Sequence, residues 1–155
     1  MEYCENANLI ITEKKNGLWL GNIESPQNKD FVVKNNIKTI FNITRKDYVE
    51  IDGVTYFQVP LSDADTPSEI KKFLTNIIPL VEPINRELRK HSVLIHCEMG
   101  MQRSAAIVAA YLMKYYGMNP DEAIQFIKDR RIVAFKTRVT FLEALYKLEY
   151  ELRKR

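Results

Sequence analysis

Val93-Leu94-Ile95-His96-Cys97-Glu98-Met99-Gly100-Met101-Gln102-Arg103-Ser104 is the stretch on which the fold turns. Three consecutive apolar residues, Val93-Leu94-Ile95, predict a short strand buried on both faces, as in the middle of a parallel sheet. Residues 104–116 are rich in Ala, Leu and Met and run into Gly117, which predicts a helix closed by a glycine C-cap. Strand, tight loop, helix is how α/β proteins build anion sites at the carboxyl edge of a sheet. Backbone N–H groups curled ahead of a helix N-terminus point into one concavity, where the helix dipole adds partial positive charge. Gly100 supplies a position free to take an unusual φ, and the planar fork of Arg103 matches two oxygens of a phosphoryl group. Cys97 faces the same field, and a thiol in that setting is expected to ionise at neutral pH and act as a nucleophile. Glu98, Met99, Gly100, Met101, Gln102 and Arg103 are then the expected phosphate-binding loop.

Working outward, the flanking segments complete an alternating pattern. Leu9-Ile10-Ile11-Thr12 and Leu18-Trp19-Leu20-Gly21 predict two strands joined at an Asn16-Gly17 turn, and a short helix over about 26–36 is expected with Ser25 as its cap. Residues 38–43 and, after the Asp52-Gly53 turn, 54–59 predict two more strands. Thr66-Pro67-Ser68-Glu69 reads as a helix start with a capping box. Ile70, Phe73, Ile77, Val81, Ile84 and Leu88 then share one helical face, and Pro79 and Pro83 are expected to kink it. Asn119-Pro120-Asp121-Glu122 opens another helix to about residue 131, and a last helix is predicted over about 137–152. The expected fold is α/β: a single domain over residues 1–155 with a central mixed, largely parallel sheet flanked by helices.

Composition narrows the remaining classes. At 155 residues the chain suits one core, and 46% hydrophobic residues against five Gly and six Pro exclude collagen-like, low-complexity and disordered classes. No apolar run approaches the length of a membrane helix, and Met1-Glu2-Tyr3-Cys4-Glu5 is acidic rather than signal-like, so a cytoplasmic or nuclear protein without membrane association is expected. Two cysteines, Cys4 and Cys97, and two histidines make neither a disulfide framework nor a zinc site, and no metal or other cofactor is expected. A net charge of +3 is too mild to point to nucleic acid. Nothing in the sequence brings Cys4 to Cys97, and nothing decides between monomer and homodimer.

His96-Cys97-Glu98-Met99-Gly100-Met101-Gln102-Arg103-Ser104 resembles the H-C-x5-R-[S/T] signature of the cysteine-based protein tyrosine phosphatases, and the chain looks most like their dual-specificity branch. Gly17-Leu18-Trp19-Leu20-Gly21 is similar to that family's early G-L-Y-L-G strand. Ile40-Phe41-Asn42-Ile43-Thr44 is similar to its V-L-N-x-T strand, and Ala110-Tyr111-Leu112-Met113 to its A-Y-L-M helix. The resemblance covers about residues 17–150, in a length and order similar to the compact form carried by poxviruses. It implies hydrolysis of phosphotyrosine and phosphoserine or phosphothreonine esters of proteins through a phosphocysteine, with Cys97 attacking phosphorus and Arg103 and the loop amides holding the equatorial oxygens.

Such a reaction needs an acid to protonate the leaving oxygen. Pro60-Leu61-Ser62-Asp63-Ala64-Asp65 offers two carboxylates; the family's P-[IL]-x-D pattern falls on Asp63, while Asp65 precedes the Thr66 cap, where a carboxylate suits the helix dipole. Ser104 is placed either to hydrogen-bond the cysteine sulfur or to cap the helix, and His96 to orient the loop without touching substrate. Arg130 matches a position that in relatives meets a second phosphate, or else simply ends a helix. The loop lacks the lysines of phosphoinositide phosphatases and the T-H-G-x-N pattern of RNA triphosphatases, which lowers both alternatives. Intact Cys97, Arg103 and Asp63 count against a non-catalytic phosphoprotein-binding module. Gln102 departs from the Ser, Asn or Gly usual at its position, Glu98 puts a negative charge beside an anion site, and the usual Pro-Asn is absent from Ile132-Val133-Ala134-Phe135-Lys136.

Overall fold

The 93–95 segment is the middle of the sheet. A computed structural model describes residues 5–61 and 66–154. Its strands are β1 (Ala7–Glu13), β2 (Asn16–Gly21), β3 (Ile37–Asn42), β4 (Thr55–Gln58) and β5 (Ser92–His96), in the order β1-β2-β5-β3-β4. β1 pairs antiparallel with β2, and every other pairing is parallel, so the sheet is mixed and largely parallel as expected. A 3-10 turn (Ser25–Gln27) and α1 (Lys29–Lys34) follow β2, and α2 (Pro67–Leu88) precedes β5. α3 (Arg103–Tyr116), α4 (Pro120–Arg130) and α5 (Leu142–Arg153) complete the chain. Among the described residues no helix is long and apolar enough to cross a membrane.

Strand alternation divides the core. Val93 and Ile95 join Leu18, Leu20 and Phe41 in a large cluster built with α2, α3, α4 and α5, whereas Leu94 and Ile40 pack with Val32 of α1 on the opposite face. All three of Val93, Leu94 and Ile95 are fully buried, each contributing roughly 2 kcal/mol of hydrophobic stabilisation. The sequence signals at helix ends hold for α2, α3 and α4. Thr66 Oγ1 accepts from Glu69 N–H at 3.2 Å, Gly117 closes α3 at φ 68°, and Asn119 and Glu122 form a reciprocal capping box. α2 runs unbroken through Pro79 and Pro83.

Three expectations are corrected by longer-range contacts. The β1–β2 turn falls on Lys14-Lys15, with Lys14 at φ 57°, because Asn16 is already paired with Glu13 and its buried amide donates to Leu88 O at 2.8 Å. Asn28, not Ser25, caps α1: its Oδ1 accepts from Phe31 N–H, while Ser25 Oγ donates to Asn22 O. The last helix starts at Leu142 rather than near 137, since Phe135 and Thr137 sit at φ 57° and 72° and Thr140 N–H is taken by the Gln102 side chain. Cys4, Asp63 and Asp65 lie outside the described residues.

Candidate active site

β5 ends at His96, and α3 begins at Arg103, so residues 97–102 form the loop between the carboxyl edge of the sheet and a helix N-terminus. Its conformation is set by where its carbonyls go. Glu98 O accepts from Ile23 N–H at 3.0 Å, Met101 O from Phe135 N–H at 2.8 Å, and Gly100 O and Met99 O from Arg131 Nε and Nη2 at 2.9 and 3.2 Å. Across a planar trans peptide the next N–H points opposite to the carbonyl, and no peptide here is cis. The amides of residues 99–102 are therefore turned to the other side of the loop, as Gly100 N–H shows directly by donating to Cys97 Sγ at 3.2 Å. Gly100 stands at φ 69°, and a Cβ there would lie 2.7 Å from the Gly21 backbone.

Ser104 Oγ, fully buried, donates a second hydrogen bond to Cys97 Sγ at 3.0 Å. Two donors thus converge on one sulfur at a helix N-terminus, which suits a sulfur carrying negative charge as nucleophile or as leaving group. Arg103 opens α3 with its Nη1 donating to Leu61 O at 3.0 Å and its Nη2 3.6 Å from Glu98 Oε1. His96 is fully buried, and that burial pushes its pKa down to about 4, so the ring is neutral at pH 7. Its Nδ1 lies 3.2 Å from Cys97 O and its Nε2 2.7 Å from Tyr48 Oη. Burial also pushes the Tyr48 phenol up, so the phenol donates to Nε2 and the remaining ring N–H faces the Cys97 carbonyl.

The family model of the dual specificity phosphatase catalytic domain matches residues 18–151. The chain belongs to the dual specificity phosphatase family. Human dual specificity protein phosphatase 8 is 34% identical over 139 residues, which are 86% of this chain and 21% of that protein. Human dual specificity protein phosphatase 21 is 32% identical over 136 residues, 87% of this chain and 70% of that protein. The chain thus spans about a fifth of the length of the first of these relatives. Of solved structures, human DUSP28 shares the fold with a TM-score of 0.83 at 23% identity over 96% of both chains. DUSP15 superposes with a TM-score of 0.71 at 27% identity, covering 93% of this chain and 95% of its own. Membership assigns this domain to the phosphatases of the cysteine-based protein tyrosine phosphatase superfamily, as the 96–104 signature implied.

In this phosphatase domain, the structure gathers His96, Cys97, Arg103, Ser104 and the 98–102 loop at one edge of the sheet, but it does not bring Arg130 there. The Arg130 guanidinium lies 3.4 Å from the centroid of the Phe126 ring, donates to Phe126 O, and shares a shallow cavity with Leu9, Thr12 and Tyr116. Its neighbour Arg131, fully buried, is the residue that reaches the loop, and its Nη1 also holds Glu5 O and Asn8 Oδ1. Arg130 and Arg131 are adjacent in the sequence, and which of the two reaches the loop depends on where α4 stops: Arg130 is its last residue, and Arg131 is extended just past it. Gln102 ties the loop to the segment that follows α4: its Nε2 donates to Arg138 O at 2.7 Å and its Oε1 accepts from Thr140 N–H at 2.9 Å. Tyr48 carried no sequence signal, since it sits in an irregular stretch between β3 and β4.

Proposed function

We propose that this domain hydrolyses phosphotyrosine and phosphoserine or phosphothreonine esters of proteins through a phosphocysteine intermediate. The observation that carries the reading is Cys97 Sγ held by Gly100 N–H and Ser104 Oγ on the amide-lined side of a loop whose carbonyls are all tied away from it. Cys97 attacks phosphorus in line, and Arg103 with the amides of 99–102 takes up the charge on the equatorial oxygens. Asp63 protonates the leaving oxygen and then activates water as base, and Ser104 stabilises the departing Cys97 sulfur. His96, held by Tyr48, fixes the start of the loop. Metal and cofactor have no part in this scheme; the partners are phosphorylated proteins in the cytoplasm or nucleus rather than nucleic acid or membrane, met by a monomer or homodimer.

The test is hydrolysis of a small aryl phosphate in chelator by the wild type, Cys97→Ser and Asp63→Asn, followed by phosphotyrosine and phosphothreonine peptides. Cys97→Ser is expected to abolish turnover and Asp63→Asn to lower it by about a hundredfold or more. Wild-type protein that binds phosphopeptides without turnover would overturn the reading in favour of a phosphate-binding module.

A further inference from the structure

A loop that collects a phosphate dianion carries a carboxylate beside its nucleophile. Glu98 Oε1 lies 3.6 Å from Arg103 Nη2, so a phosphoryl oxygen bound by that nitrogen sits within about 6.5 Å of the carboxylate. Glu98 Oε2 accepts from Lys46 Nζ at 2.7 Å, and this lysine holds the Glu98 carboxyl below the usual carboxylate range. The charge beside the cradle is therefore fixed negative throughout the neutral range, and it is met by two cations, Arg103 within the cradle and Lys46 outside it.

Lys46 is positioned by the fold rather than left to a mobile loop. Asn42, at the end of β3, donates through Nδ2 to Lys46 O at 2.9 Å, and Lys46 N–H donates to Thr44 Oγ1 at 3.0 Å. Thr44 Oγ1 in turn donates to Asn42 Oδ1 at 2.6 Å, and both Asn42 and Thr44 are buried. A satisfied buried network whose outer end fixes the backbone of a single exposed lysine costs chain entropy. An exposed ion pair between flexible side chains would by itself contribute little to stability. The pair's position against Arg103 gives it something else to do.

We propose that Glu98 and Lys46 select substrates by charge. Glu98 disfavours a second anion next to the phosphate ester, and Lys46 neutralises Glu98 enough for the ester itself to bind. The preferred substrate class is a singly phosphorylated segment flanked by basic or neutral side chains, with acidic-flanked and doubly phosphorylated segments rejected. This rests on the phosphatase reading above.

Opposite signs in two single variants provide the test. Glu98→Gln, Lys46→Met and the double variant are compared with the wild type for vanadate affinity and for kcat/KM on matched singly phosphorylated peptides with acidic, neutral or basic flanks. Glu98→Gln is expected to tighten vanadate and to narrow the basic-over-acidic preference by about tenfold. Lys46→Met is expected to weaken vanadate by about threefold to tenfold, and the double variant to return close to Glu98→Gln, with each difference shrinking as salt rises to about 0.5 M. If both single variants weaken vanadate together with a common fall in thermal midpoint, or if Glu98→Gln leaves flank preference unchanged, the pair is a structural clamp and the proposal is wrong. Lack of wild-type turnover would instead sink the phosphatase reading, and inorganic phosphate binding by the four proteins would still decide the charge proposal.

Discussion

Two neighbouring parts of the site differ in how they are held. The 96–104 loop is bounded by a strand and a helix that its own sequence specifies, and its glycine stands where φ is positive. The 131–141 segment facing it has no regular structure and carries Phe135 and Thr137 at positive φ without glycine. It is kept in place by Arg131 on Met99 and Gly100, by Phe135 N–H on Met101 and by Gln102 on residues 138 and 140. The loop's carbonyls in turn need those donors. The signature loop carries Cys97 and Arg103, and a segment without any signature fixes which way the loop's amides point.

Breaking the brace should therefore harm the loop more than most changes within it. Arg131→Met removes the partners of two loop carbonyls at a fully buried position, and should cost about 4 kcal/mol in urea unfolding together with a large fall in kcat/KM. Arg130→Met, one residue earlier at the end of α4 and over Phe126, should leave kcat/KM within about twofold of the wild type.

The foot of the loop sets an acid limit. His96 titrates at about 4 in the folded state against 6.5 ordinarily, so between those values the unfolded chain takes up a proton that the folded chain refuses. Stability from this group is complete above pH 6.5 and is lost as pH falls toward 4, amounting to about 3 kcal/mol at full shift. Thermal midpoints of the wild type should drop across that window more steeply than those of His96→Asn.

Inside the loop, Gly100→Ala meets both a positive φ and the Gly21 backbone at 2.7 Å, and should cost about 2 kcal/mol with a loss of vanadate affinity. The smallest effect sharpens the contrast from the other side. Thr137 is exposed at φ 72°, so Thr137→Gly should relieve strain and raise stability by about 1 kcal/mol with turnover preserved. A destabilised Thr137→Gly would mean that its backbone conformation is set by side-chain contacts instead.

What could be read from residues alone was local. The caps at Thr66 and Asn119, the glycine end of α3 and the strand-loop-helix around Cys97 depend on groups within a few positions of one another, and each stands as expected. The Asn16-Gly17 turn and the helix expected from 137 failed where a distant partner, Leu88 O in one case and the Gln102 side chain in the other, took a group that local propensity assigned elsewhere.

The sequence by itself determined the α/β architecture, the family and the strand-loop-helix around Cys97, because apolar periodicity and a signature spaced over nine residues are properties of neighbours along the chain. Only the tertiary structure decided that Arg131 and not Arg130 reaches the loop, that Tyr48 holds His96, and that Lys46 meets Glu98. Arg130 is the last residue of α4 and Arg131, its C-cap, is already extended at φ −132° and ψ 100°, so the point at which the helix stops sends two adjacent arginines to different places. Residues 46 and 98 meet because β3 and β5 lie side by side in parallel, and that register is a property of the folded sheet.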